Sequence, residues 1–248
     1  MDLGLEGRSA IVLGASQGMG LAIAEALAGE GADVAMFARR AEVVDREAAR
    51  IGALSVPGDL THAADLERLV TATLEAFGRI DIVVLNGGGP PPGAAADLTA
   101  GSVTAAVELL LVPHVRLVGL CLPYLRASGR GRVIAIESTS VKEPIANLAL
   151  SNAVRPGVVG WLKTLARELG PDGITVNTIA PGRIGTERLR SLYGEAGPPP
   201  VALALIPARR VGSPAEIAAT ACFLASEQAA YVNGAVVPVD GGMLSGLS

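Results

Sequence analysis

The sequence predicts an α/β protein built on a doubly wound parallel sheet. Three observations carry that prediction. Short apolar runs alternate along the chain with segments of helical periodicity. The runs are continuous rather than alternately apolar and polar, as expected of strands covered on both faces. Gly14, Gly18 and Gly20 fall between the first such run and the first helical segment, where open α/β sheets bind nucleotides.

The elements follow in order. "SAIVLG" (Ser9–Gly14) reads as a buried strand, after which Gly20, Ile23, Ala24 and Leu27 repeat at helical spacing. "DVAMFA" (Asp33–Ala38) is a second strand. "DLTHAADLERLVTATLEAFG" opens on Asp and Thr as cap candidates and carries a stripe of Leu66, Leu69, Val70, Thr73, Leu74 and Phe77. "DIVVLN" (Asp81–Asn86), "RVIAIE" (Arg132–Glu137), "ITVNTIA" (Ile174–Ala180) and "AVVPVD" (Ala235–Asp240) are further strands, separated by helical segments. Between the fourth and fifth of these six, Val158, Val159, Leu162, Leu165, Ala166 and Leu169 mark a helix from about Leu150 to Leu169. Pro156 lies inside it, where proline removes a hydrogen bond, clashes one turn back and costs ~3 kcal/mol. Since proline is comfortable only in a first turn, the helix is expected to start near Ala153 or to bend near Asn152.

Composition narrows the function classes. The 248 residues suffice for one large domain or two small ones, and no linker or internal repeat divides them. Half the chain is apolar and only 3% aromatic, so the core is aliphatic. A net charge of −4 gives no general pull toward nucleic acid or an anionic membrane. Cys121 and Cys222, each inside an apolar run, read as buried free thiols rather than a disulfide framework or metal site. The first ten residues lack a basic segment and a long apolar run, and no stretch reaches ~18 consecutive apolar residues, so a soluble cytoplasmic protein is expected. "GGGPPPGAAAD" (Gly87–Asp97) and "YGEAGPPPV" (Tyr193–Val201) break the rhythm. Each is either a surface spacer or a stiff wall of the ligand crevice, and its triple proline favours the wall.

The glycine spacing, Gly-x-x-x-Gly-x-Gly, lets backbone approach a pyrophosphate at a helix N-terminus, where unpaired N–H groups and the dipole favour an anion. With "GDLT" (Gly58–Thr61), "DIVVLNGGG" (Asp81–Gly89), "GRVIAIES" (Gly131–Ser138), "ITVNTIAPGRIGT" (Ile174–Thr186) and "FLAS…YVNGAVVPVDGG", it makes the chain resemble the short-chain dehydrogenase/reductase family from Leu5 to Gly242, especially members similar to 3-oxoacyl-carrier-protein reductases. The resemblance implies one Rossmann-type domain over residues 1–248 and a homotetramer. It implies that Gly14, Ser16, Gln17, Gly18, Met19 and Gly20 cradle a dinucleotide, that Asp59 and Leu60 flank its adenine, that Asn86, Gly87 and Gly88 lie beside the adenosine ribose, and that Pro181, Gly182, Ile184 and Thr186 border the nicotinamide. Helix capping is the competing role for Asp59 and Thr186. At the end of the second strand, Ala38 stands where NAD-binding relatives carry an acid, and Arg39 follows. Arg suits a 2′-phosphate through paired hydrogen bonds, so NADP is expected over NAD, although Gln17 stands where NADP-binding relatives often have a basic residue.

The catalytic centre departs from the family. Its serine is matched by Ser138, but thirteen residues later Ser151 replaces the tyrosine, four further on Arg155 replaces the lysine, and the asparagine falls near Leu110. Ser151 is a much weaker acid than tyrosine, and Arg155 keeps its proton at neutral pH. Three readings follow. The first is an oxidoreductase acting on a moderately apolar carbonyl or alcohol, with Ser138, Ser151 and Arg155 catalytic and the proton supplied by ordered water, Lys142, Glu143 or Tyr193. The second is non-redox chemistry, such as elimination or isomerisation, on the same scaffold. The third is a non-catalytic nucleotide-dependent binding or regulatory protein. On the first, Ser138 faces the nicotinamide and Arg155 its ribose, and the Pro156 irregularity displaces Ser151 from the family's tyrosine position.

Overall fold

The computed structural model describes residues 2–194 and 197–246. Seven strands form one parallel sheet: β1 (Ser9–Leu13), β2 (Asp33–Ala38), β3 (Leu54–Pro57), β4 (Ile82–Leu85), β5 (Arg132–Ile136), β6 (Thr175–Pro181) and β7 (Val236–Val239). Their order is β3-β2-β1-β4-β5-β6-β7. The order reverses between β1 and β4, and a ligand crevice opens at the carboxyl ends of the strands at such a point. The helices are α1 (Gly18–Gly29), α2 (Ala41–Ile51), α3 (Ala63–Phe77), α4 (Ala100–Leu110), α5 (Val112–Ser128), α6 (Ala149–Leu169), α7 (Glu187–Tyr193), α8 (Pro200–Ala204) and α9 (Pro214–Ala225).

Successive strand residues feed opposite faces. Ile11, Leu13, Val83, Leu85, Val133 and Ala135 pack with α3, α4, α5 and α6, while Ala10, Val12, Ile82, Val84, Ile134 and Ile136 pack with α1, α2 and α9. The six strands read from sequence are present; β1, β2, β4 and β5 are mainly buried apolar residues, whereas β6 also buries Thr175, Asn177 and Thr178 and the edge strand β7 is only partly buried. Both cysteines are buried and free, and burial pushes the Cys222 thiol up to about 12. At the amino ends of the strands, two fully buried arginines act as backbone clamps: Arg8 donates to the Ala225 carbonyl (2.7 Å), and Arg132 donates to those of Gly131 (2.9 Å) and Arg130 (3.0 Å).

The expectation for α6 needs correction. The helix begins at Ala149, not near Ala153, and runs continuously past Pro156. Proline removes one backbone bond, but Leu150, Ser151, Val154, Arg155, Val158 and Leu162 are all buried along the same face. Asn152 clamps the approach to the first turn: its side-chain carbonyl accepts from the Ile145 N–H (3.0 Å) and its amide donates to the Ile145 carbonyl (2.9 Å). Burial and this clamp outweigh one missing bond. Ser151 therefore sits on regular helix, not on irregular backbone.

Candidate active site

The glycine loop joins β1 to α1. Gly14 and Gly18 have φ of +61° and +58°, a region that favours glycine. A Cβ on Gly20 would lie 2.3 Å from the Gly14 carbonyl oxygen, so only glycine lets the first turn close on the loop. Gln17, the residue before α1, places no side-chain cap on the helix, which leaves its first N–H groups open to a ligand. Ser16 and Met19 are half-buried in the same turn. This cradle fits a pyrophosphate.

Arg39 and Arg40 follow the end of β2, both exposed, and Arg40 donates to the Gln17 side chain. Sequence reading missed Arg40; the signal was the doubled Arg in "FARR". Asp59 accepts from the Thr61 N–H (2.9 Å) and hydroxyl (2.8 Å), so its carboxylate organises the turn before α3. Burial raises its pKa, but the Thr61 bonds and then Arg39 outweigh that, holding it below the usual carboxylate range. Leu60 is half-buried and lies beside Gly87. The Asn86 side chain turns into the sheet and donates to the Leu13 carbonyl (3.1 Å). Gly88 has open space above it.

Across the crevice, β6 ends in Pro181, and Gly182 packs so closely on Asp240 that a Cβ would come within 2.7 Å of its Cα. Ile184 is buried and bridged to Gly212. Thr186 precedes α7 but forms no side-chain cap there, so capping does not occupy it. The first proline-rich segment is tied into the crevice. Gly93 pairs with Leu148, its N–H donating to the Asn147 carbonyl (2.9 Å) and its carbonyl accepting from Ala149 (3.3 Å). In the second such segment, residues 195–196 lie outside the described residues.

The end of β5 and the first turns of α6 form a buried polar chain. Arg155 donates from Nη1 to Glu137 at 2.7 Å and from Nε to the Ser151 hydroxyl at 3.1 Å, and Ser151 meets the Ser140 hydroxyl at 3.1 Å. All four are buried. Burial pushes the Glu137 carboxyl above its ordinary range, and Arg155 opposes this only in part. Arg155 uses two of its five N–H donors on Glu137 and Ser151, because a desolvated carboxylate at the end of β5 demands a counterion. The hydroxyl that meets Ser151 belongs to Ser140, not Ser138. Ser138 accepts from the Ser140 N–H (3.1 Å), is only partly buried, and keeps its own O–H to donate. Leu110 is buried, and one turn on, His114 is buried with both ring nitrogens unpartnered among the described residues. Glu143 instead receives the N–H groups of Ser245 (3.0 Å) and Gly246 (3.1 Å), Tyr193 packs beside Arg183, and Lys142 is exposed. Sequence reading missed Glu137, Ser140 and His114. An acid closing an apolar strand and the Ser-x-Ser spacing were the available signals.

A family model described as enoyl-(acyl carrier protein) reductase matches residues 14–244. The 3-oxoacyl-[acyl-carrier-protein] reductase MabA of Mycobacterium tuberculosis is 36% identical over 236 residues, covering 95% of this chain and 92% of the relative. Dehydrogenase/reductase SDR family member 4 of Oryctolagus cuniculus is 34% identical, covering 98% and 96%. The chain belongs to the short-chain dehydrogenase/reductase family. Among solved short-chain dehydrogenase/reductase structures, L-sorbose reductase from Gluconobacter frateurii, complexed with NADPH and L-sorbose, superposes with a TM-score of 0.93 at 32% identity over the whole of both chains.

Proposed function

We propose that this short-chain dehydrogenase/reductase is an NADP(H)-dependent oxidoreductase that reduces a carbonyl group and works without the tyrosine and lysine of its relatives. The observation that carries the reading is the placement of the glycine cradle and the Ser138 hydroxyl at the carboxyl ends of β1 and β5, the two strands that flank β4 in one sheet, on either side of the switch point. Support for NADP over NAD comes from Arg39 and Arg40 at the end of β2 with no acid beside them, and from the NADPH-bound state of the L-sorbose reductase. When bound, the dinucleotide supplies hydride to the carbonyl carbon. The protein's own part is to receive the oxygen. Ser138 donates to it through a hydroxyl aimed by the Ser140 N–H. Behind it, the Arg155 cation hydrogen-bonds Ser151 and polarises the Ser151–Ser140 pair, so the developing negative oxygen faces oriented donors. The proton that completes the alcohol comes from water, since neither a serine nor an arginine is an acid of suitable strength.

The test is NADPH oxidation against a panel of carbonyl compounds. Turnover is expected, with Ser138→Ala lowering kcat about 10²–10³-fold. Arg39→Ala should reduce the preference for NADPH over NADH about tenfold, or ~1.4 kcal/mol. Tight NADPH binding with no oxidation by any carbonyl, and no effect of Ser138→Ala on ligand binding, overturns the reading in favour of a nucleotide-dependent binding protein.

A further inference from the structure

Arg188, in the first turn of α7, is seated on the opposite wall of the crevice. Its guanidinium lies across Gly89 in the loop after β4: a Cβ there would meet Cζ, Nη2 and Nη1 at 2.4–2.6 Å. Any larger residue at position 89 would displace it. Nη2 donates to the Pro90 carbonyl at 3.3 Å, within the stiff triple-proline stretch. This fixes the side chain while using one of its five N–H donors. Among the described residues Arg188 has no carboxylate partner, although Arg190 nearby pairs with Glu187 at 2.9 Å. The residue remains solvent-accessible. It is close enough to Arg155 that desolvation first and the Arg155 charge second lower its pKa. Glu137 neutralises Arg155 at 2.7 Å, so Arg188 leaves the crevice with an unmatched positive charge.

A guanidinium held in place on backbone, accessible and without a counter-charge, is suited to paired hydrogen bonds with a carboxylate. We propose that the substrate carries an anionic group of the carboxylate class, which Arg188 anchors while the carbonyl oxygen lies at Ser138. This assignment rests on the carbonyl-reduction reading. Such a division also supplies orientation that the missing tyrosine no longer gives, because a substrate held at two points presents one face to the hydride.

The experiment uses matched pairs, a 2-oxo or 3-oxo acid and its methyl ester, with the full chain. NADPH oxidation gives kcat/KM for each member in wild type, Arg188→Gln and Arg188→Lys. Calorimetry measures the acid binding to protein saturated with NADP⁺, and fluorescence measures the Kd for NADPH. Wild type should prefer the acid at least tenfold. Arg188→Gln should reduce the acid-to-ester ratio at least tenfold, Arg188→Lys less, and both should keep the NADPH Kd within twofold. An unchanged ratio in Arg188→Gln, or no preference in wild type, overturns the proposal. So does a tenfold loss of NADPH affinity with the ratio intact, which would assign the guanidinium to the dinucleotide phosphates. If no carbonyl is reduced but the acid binds in an Arg188-dependent way, the reduction reading fails and the anion site stands. Turnover without that dependence does the reverse: carbonyl reduction stands and the anion site falls.

Discussion

His114 offers a quantitative test of how the interior around Arg155 is packed. It lies in the first turn of α5, fully buried, with neither ring nitrogen hydrogen-bonded among the described residues. Burial, and secondarily the Arg155 charge, push its pKa from 6.5 down to about 4. The folded protein therefore holds the imidazole neutral at pH values where the unfolded chain protonates it. Between pH 6.5 and 4 the unfolded state binds more protons, so stability falls as pH drops through that window. Each pH unit is worth ~1.4 kcal/mol, and the loss reaches about 3 kcal/mol by about pH 4. Urea unfolding followed by circular dichroism at steps from about pH 7.5 to about pH 4 measures it, with His114→Leu as the reference. The leucine has similar volume and nothing to titrate, so its stability should decline less steeply by about that amount. Parallel pH profiles for the two proteins would refute the assignment of a buried, neutral imidazole, and a wild type that gained relative stability in acid would reverse its sign.

Other outcomes follow from the same geometry. Arg155→Met should destabilise by about 3–5 kcal/mol by stranding the buried Glu137, and Glu137→Leu combined with Arg155→Met should recover most of it; chemical denaturation of both variants decides this. Gly20→Ala forces a Cβ against the Gly14 carbonyl oxygen, so it should cost about 1–3 kcal/mol and weaken NADPH binding more than tenfold by calorimetry. Pro156 is exposed on α6, so Pro156→Ala should restore a helix bond with little packing lost and stabilise by about 1–3 kcal/mol, read as a raised Tm. Ser213→Ala removes half of a capping box at the start of α9 and should cost about 1 kcal/mol in the same assay.

What could be read in the sequence was local or periodic. Central strands such as β4 and β5 are apolar runs whose burial on both faces leaves no alternation to misread. The edge strand β3 escaped because it has four residues, only Val56 fully buried, and ends in Pro57 before Gly58. The glycine loop was legible because its function depends on backbone shape within one turn. The start of α6 was misjudged because proline's cost is local, while the burial of Leu150, Ser151, Val154 and Arg155 that outweighs it is tertiary. The same limit explains Glu137. No spacing between positions 137 and 155 reveals that a strand end and a helix face will bring carboxylate and guanidinium together. Arg188 is likewise meaningful only once the loop carrying Gly89 lies beneath it.

The Asn86 amide bonded to the Leu13 carbonyl acts as a strut across the point where the strand order reverses. That same amide nitrogen lies 2.7 Å from where a Cβ would stand on Gly14, and equally far from one on Gly20. The gap between β1 and β4 is therefore set by the protein's own side chain before any dinucleotide arrives. The ordering entropy of this wall is spent during folding, so binding need not repeat it. Association should then behave as docking into a rigid seat, with rates governed by encounter rather than by a loop closing over the pyrophosphate. Discrimination among dinucleotides is left to the end of the crevice beyond β2, where the exposed side chains of Arg39 and Arg40 have room to adjust.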